Sequence, residues 1–182
     1  YKIEITLDDK KQQIHGSELI TYSNNSPDAL DYLWIQLDQN VRQKGSLKEL
    51  VRPTYMPDKM GSGQEDDFSA LLAEASAMYL NEEFDGGFNV LEVKNRDGMD
   101  YAYTINHTMM RIELESPLLT GEQVDIQIKW WYKINDQAID FGRSGMEYFE
   151  EDDNYLYTIA QFYPRMAAYT DFEGWQNKQF TG

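Results

Sequence analysis

The stretch YLYTIAQFYPRMAAYTDFEGWQNKQF, Tyr155 to Phe180, opens with six residues, Tyr155-Leu156-Tyr157-Thr158-Ile159-Ala160, of aromatic and β-branched character. Such residues pack well on a pleated surface, so the opening is read as a strand. Gln161 stands at its end. Pro164 comes soon after and has no N–H to give a ladder, so pairing has to stop or reach a sheet edge there. A polar side chain delivered by a strand end is well placed to face a ligand. The plain alternative is a satisfied polar residue at a strand terminus, since buried polar groups usually find partners. Further on, Gly174-Trp175-Gln176-Asn177 places an aromatic anchor beside a permissive glycine, as expected where a loop folds back over a sheet edge.

The rest of the chain extends this β pattern. Tyr1, Ile3, Ile5 and Leu7 alternate with Lys2, Glu4 and Thr6, and Asp8-Asp9-Lys10 turns the chain into a second run, Ile14 to Tyr22. Gly16 marks a bulge or a close approach in that run, and Asn24 to Asp28 is a dense turn signal. Leu33, Ile35 and Leu37 share one face of a third strand with Trp34 on the other, which predicts burial on both sides. Asn95-Arg96-Asp97-Gly98 has the Asp-Gly signature of a hairpin turn. Alternating runs come next at Met99 to Ile105, Met109 to Leu114 and Val124 to Tyr132, with Pro117 and Gly121 separating the last two. Glu147, Glu150, Glu151, Asp152 and Asp153 are read as a solvated acidic loop before the last strand.

One segment has a different period. Ser62 and Glu65 have capping-box spacing, and Phe68, Leu71, Leu72, Ala75 and Met78 recur at helical intervals, which predicts one inserted amphipathic helix of about 3 to 4 turns. Residues 40–63 have no steady periodicity and are read as an excursion from the sheet. After the helix, Asn81, Glu83, Asp85, Gly86 and Glu92 fall on EF-hand spacing. Asn at the first position, Glu at the third and the strand-like Phe88, Val90, Leu91, Val93 afterwards all depart from that pattern, so a plain acidic loop is the preferred reading.

The 182 residues suffice for one large domain with a buried core. Thirty-two acidic residues against 16 basic ones give a net charge of -16. That balance argues against a nucleic-acid partner, because such binding rests on Lys and Arg neutralising phosphates. Aromatic residues at 14% supply far more to bury than a disordered chain has. No cysteine is present, so there is neither a disulfide framework nor a thiolate metal site, and the compartment stays open. No apolar run reaches the roughly 20 residues of a membrane span. Because the chain begins at Tyr1 and its last strand-like segment lacks a closing element, it is expected to be a fragment of a longer protein.

Ala160-Gln161-Phe162-Tyr163-Pro164-Arg165 and the Gly-Trp-Gln-Asn after it resemble the N-terminal domain of the aminopeptidase N family of zinc metallopeptidases, which carries a Thr/Ala-Gln-aromatic motif at the close of a β-rich domain. Met109 to Leu114, then Ser116-Pro117-Leu118 and Gly121-Glu122, are similar to the same domain, although the inserted helix has no counterpart there. The resemblance implies a saddle-like twisted β sheet or sandwich of about eight or more strands over residues 1–182. It further implies that this domain covers a downstream catalytic domain of the same chain and contributes Gln161 to the pocket for the first residue of a peptide substrate. Zinc is expected in that downstream domain and not in this fragment. His15 and His107 are the only histidines, and neither belongs to a His-Glu-x-x-His pair. Gly145-Met146-Glu147 is similar to part of the family's Gly-x-Met-Glu-Asn motif, but its spacing and chain order are wrong. Gly-x-Ser-x-Gly, P-loop and Gly-x-Gly-x-x-Gly motifs are missing, and no nucleophile and base set is evident. The competing function class is a stand-alone β-sandwich module that binds peptide or carbohydrate through surface tryptophans.

Overall fold

The computed structural model describes residues 1–51, 84–137 and 144–181. They form an all-β structure built on two four-stranded antiparallel sheets. The helix expected at 62–78, residues 52–63 of the expected excursion and the first three positions of the EF-hand-like loop, 81–83, lie outside the described residues.

The first sheet is organised by a long central pair. Strand β2 (Gln13–Ser23) runs antiparallel to β7 (Gln123–Lys133) over its whole length. β1 (Lys2–Asp8) flanks β2, and β4 (Asn89–Lys94) flanks β7, giving the order β1-β2-β7-β4. The period-2 pattern of β7 is what seats the core: Ile126, Ile128, Trp130 and Tyr132 all point inward and are buried. The turn after β1 is made as its sequence suggested, with Asp8 Oδ1 accepting from the N–H groups of Lys10 at 3.2 Å and Lys11 at 3.0 Å.

The second sheet has the order β10-β3-β6-β5, where β3 is Leu30–Gln36, β5 Tyr103–Asn106, β6 Met109–Leu118 and β10 Arg165–Met166. Leu33 and Ile35 on β3, with Leu37 just beyond its end, pack against Met110 and Ile112 of β6 and against the inward residues of the first sheet in a single core. Two short ribbons complete the fold: β8 (Gly145–Phe149) with β9 (Asn154–Thr158), and β11 (Tyr169–Thr170) with β12 (Gly174–Trp175). A five-residue helix, Leu47–Val51, comes after a 3-10 turn at Asp38–Arg42.

Several local expectations are corrected. β3 is sealed on one face only, because Tyr32, Trp34 and Gln36 on the other face are half-buried. The Asn95–Gly98 turn closes a short hairpin, as its Asp-Gly suggested: Lys94 and Asp100 form an antiparallel bridge, Asn95 N donates to the Met99 carbonyl at 2.8 Å and Tyr101 N to the Val93 carbonyl at 2.9 Å. Beyond that bridge β4 pairs with β7 and β5 with β6, so the chain passes from one sheet to the other after the hairpin. Asn95 Oδ1 shapes it, accepting from Asp97 N at 3.0 Å and Met99 N at 2.9 Å. Pro117 lies inside β6 and not between strands. It falls where pairing with β3 jumps from Tyr32↔Glu113 to Leu30↔Leu118, so no ladder bond is asked of it. The acidic run after Gly145 is not all loop: Glu147 belongs to β8, and only residues 150–153 form the turn.

Gly16 marks a close approach and not a bulge, since the β1–β2 register is unbroken. A Cβ at Gly16 would overlap the indole of Trp130 on the neighbouring strand. Gly16→Ala is therefore expected to lower unfolding free energy in urea by roughly 1 to 3 kcal/mol, the usual cost of overfilling a packed core. An unchanged midpoint would show that the indole can move aside at no cost.

Candidate functional site

Gln161 sits on the segment that joins the β8–β9 ribbon to β10, crossing one end of the sandwich. The strand stops at Thr158, earlier than Ala160, because the next residues turn from the ribbon toward the core. Three consecutive carbonyl oxygens in this crossing are held by core side chains. Gln39 Nε2 donates to the carbonyls of Ala160 at 2.9 Å and Gln161 at 3.2 Å, and Trp130 Nε1 donates to that of Phe162 at 3.2 Å. Gln39 and Trp130 are buried at 2% and 1% exposure, so the loop is tied to the interior at two points, the turn after β3 and strand β7.

Between those anchors Gln161 adopts φ 50, the left-handed region that a residue with a Cβ enters at a cost. Its side chain is exposed, and the carboxamide makes no hydrogen bond to a described residue. The arrangement thus fixes the backbone and leaves a donor and an acceptor free at the surface. Phe162 and Tyr163 turn the other way onto the core, and Tyr163 meets the Tyr1 ring edge-on at 5.7 Å. Pro164 is buried, and Arg165 begins β10 opposite Gln36. Arg165 Nε donates to Asp38 Oδ2 at 2.7 Å, with the Asp38 side chain fully buried.

Asp38, Gln39 and Asn40 were not legible as site residues, since the alternation of β3 stops before them and no Gly or Pro marks the turn they form. All three are buried. Each supports a different segment: Asp38 the Arg165 strand, Gln39 the Gln161 loop, and Asn40 two others. Asn40 Nδ2 donates to the His107 carbonyl at 2.7 Å, and its Oδ1 accepts from Phe88 N at 2.8 Å. The one available signal was three adjacent polar residues directly after a buried strand.

The remaining candidates are dispersed. His15 lies on β2, 3.1 Å from Gln13 Oε1 and stacked on Trp131, while His107 occupies the β5–β6 turn at φ 50. Among the described residues, no three His, Cys, Asp or Glu side chains converge as a metal site would need. Trp130 is buried and Trp34, Trp131 and Trp175 are half-buried, so no tryptophan forms an open platform. Trp175 packs between Tyr169 and Tyr22, centroids 5.1 and 5.9 Å away, and holds the β11–β12 ribbon down. An open concavity of 490 Å³ lies on Thr21, Arg96, Tyr101 and Asp125. Along β7 it is roughly 17 Å from Trp130, and Thr21 and Arg96 both meet Asp125 there. No helix among the described residues is long and apolar enough to cross a membrane. No protein-family model and no curated protein matches this chain.

Glu18 is the electrostatic anomaly near the loop. It points inward from β2, opposite Ile3 and Ile128, at 4% exposure, and neither carboxylate oxygen has a hydrogen-bond partner among the described residues. Burial pushes its carboxyl up to about 8, with the amino group at Tyr1 acting weakly in the opposite sense. A carboxyl held above its ordinary value of 4.5 keeps its proton in the folded state after the unfolded chain has lost it. Its contribution is present in full below about 4.5 and is lost as pH rises through about 8. Urea unfolding of the wild type should show this decline, on the order of 3 to 5 kcal/mol for the group. Glu18→Gln should abolish it and be the more stable protein at pH 8.5. Parallel pH profiles for the two proteins would mean that Glu18 ionises normally.

Proposed function

We propose that this chain is a non-catalytic β domain of a zinc aminopeptidase-like enzyme, resembling the N-terminal domain of the aminopeptidase N family, and that it helps form the pocket for the first residue of a peptide substrate. One observation carries the reading. The Gln161 carboxamide is exposed and unengaged by any described residue, while the backbone on both sides of it is pinned by Gln39 and Trp130. A residue that served only to tie the strand end to the loop would spend its amide on that task. Here buried side chains do the tying, and the left-handed backbone is tolerated at a non-glycine position.

The chemistry of the carboxamide suits the role, because it can donate to a substrate carbonyl and accept from an N–H or amine at once. Holding it rigidly lowers the entropy lost on binding and improves the orientation of the bound residue. The described residues do not bring a catalytic zinc site together: His15 and His107 lie on separate elements, and no ligand cluster forms among them. Zinc and the groups that activate water belong, in this proposal, to a downstream domain of the same polypeptide, and no step through the metal is derived from this chain.

In the intact parent enzyme, Gln161→Ala should lower kcat/KM by about 10- to 100-fold, equivalent to losing roughly 1.4 to 2.7 kcal/mol of transition-state binding. Gln161→Gly separates the roles, since glycine accepts the φ of this position without strain. The Gly variant should lose the same activity while its Tm holds or rises. Full activity in either variant, or activity lost only in step with Tm, would make Gln161 structural.

A further inference from the structure

We propose that the β8–β9 ribbon is a docking surface for an extended, lysine- or arginine-bearing polypeptide segment that adds as a further strand along β9. The inference is independent of the aminopeptidase-like reading and rests on the faces, the edge and the charge of the ribbon.

Register places Glu147, Phe149, Asn154 and Leu156 together on one face. All four are exposed, with Phe149 at 42% and Leu156 at 52%. On the other face Tyr148 and Tyr155 stand in direct register with ring centroids 5.0 Å apart, and Tyr157 lies next along, at 6.1 Å. Among the described residues only the root of this face is anchored to the core: Met146 and Tyr157 pack on it, and Tyr157 Oη donates to Gln12 Oε1 at 2.8 Å. Tyr148 and Tyr155 remain 49% and 41% exposed. A two-stranded ribbon has little stability of its own, and large apolar residues exposed side by side mark an interaction surface.

The two edges differ. The outer edge of β8 is taken at Met146, whose N–H donates to the Asn135 carbonyl and whose carbonyl accepts from Gln137 N, both near 2.8 Å. β9 makes no backbone hydrogen bond to any described residue other than those of β8, although the Tyr155 N–H is met by its neighbour, Asn154 Oδ1. Edge strands are commonly guarded by Lys, Pro or a bulge. Asn154–Thr158 has no Lys and no Pro, and its register with β8 is continuous. Such an edge suits strand addition, where main-chain bonds supply affinity and the alternate side chains supply selectivity.

Charge selects the occupant. Glu147, Glu150, Glu151, Asp152 and Asp153 surround the exposed aromatics, and no Lys or Arg occurs from Ser144 to Pro164. Phosphate backbones and anionic lipid surfaces are repelled by this field, whereas cationic side chains are drawn to it. A guanidinium or ammonium can also rest on the face of Tyr148 or Tyr155.

The test uses the 182-residue protein and two labelled peptides of equal length, one alternating Lys with Val and one alternating Glu with Val, with binding read by fluorescence anisotropy. The Lys peptide should bind at least about 10-fold more tightly than the Glu peptide and weaken several-fold between about 50 and 300 mM salt. Joint replacement Phe149→Ser and Leu156→Ser, with the fold checked by circular dichroism, should weaken it about 10-fold. Joint replacement Glu147→Gln, Glu150→Gln, Glu151→Gln and Asp152→Asn should remove the preference for the Lys peptide. The proposal is overturned if the Lys peptide does not bind, if both peptides bind alike, or if the serine replacements leave its affinity unchanged, which would reduce the effect to diffuse charge attraction. Self-association by sedimentation that the serine replacements abolish, without Lys-peptide binding, would assign the surface to a second copy and equally overturn it.

Discussion

Three buried polar side chains in a row, Asp38, Gln39 and Asn40, tie the end of β3 to β10, to the loop before it, to the β5–β6 turn and to the start of β4. They stand on a 3-10 turn at the end of β3, and each is oriented toward a different partner by the tightness of that turn. Asp38 meets Arg165, Gln39 meets the carbonyls of Ala160 and Gln161, and Asn40 bridges the His107 carbonyl and Phe88 N. Buried polar groups are costly when unpaired and specifying when paired. Asp38 shows both sides of this: one oxygen bonds Arg165 and the other has no partner among the described residues. Removing Arg165 would leave a buried charge without its counterion, the costly way to break such a pair.

The apolar core sets the frame on which this cluster acts. Trp130 is the largest fully buried side chain, seated against Gly16 on one side and edge-on to Phe88 at 6.3 Å on the other. Its indole N–H emerges at the end of the sandwich and takes the Phe162 carbonyl, so one residue both fills the core and fixes the loop. The C-terminal tail is secured by similar means. Gln179 Oε1 accepts from Thr108 N at 2.9 Å and Thr108 Oγ1 at 2.7 Å, which lays the tail along the β5–β6 turn. Side chains that bond backbone, more than further strands, close this end of the molecule.

The proposed functional residue depends on that closure. The Gln161 carboxamide has no partner among the described residues, and its usefulness lies in a backbone that other residues hold in a conformation costly for a side-chain-bearing residue. Glu18, buried in the neighbouring part of the same interior, has no such support and is the one inward position on β2 where a carboxyl replaces an apolar residue. The β8–β9 ribbon, which delivers the chain to Gln161, is held at its root and carries its exposed aromatic and acidic residues beyond the core.

The chain itself determined the all-β class, because alternation in Tyr1–Leu7, Ile14–Tyr22, Leu33–Leu37 and Val124–Tyr132 can satisfy burial only as strands with one face inward. It also singled out Gln161 and Pro164 as the end of a ladder, since a residue without an N–H limits pairing wherever it is placed. Period 2 says which face is buried but not which strand is the neighbour, so only the tertiary structure decided that beyond the short Asn95–Gly98 hairpin β4 pairs with β7 and β5 with β6, and that Pro117 sits within β6 at a break in pairing. The same limit hid Asp38, Gln39 and Asn40. Their partners lie 121 and 122 residues away for Gln39, 127 for Asp38, and 67 and 48 for Asn40, and a hydrogen bond between distant segments leaves no periodic trace in the sequence around either partner.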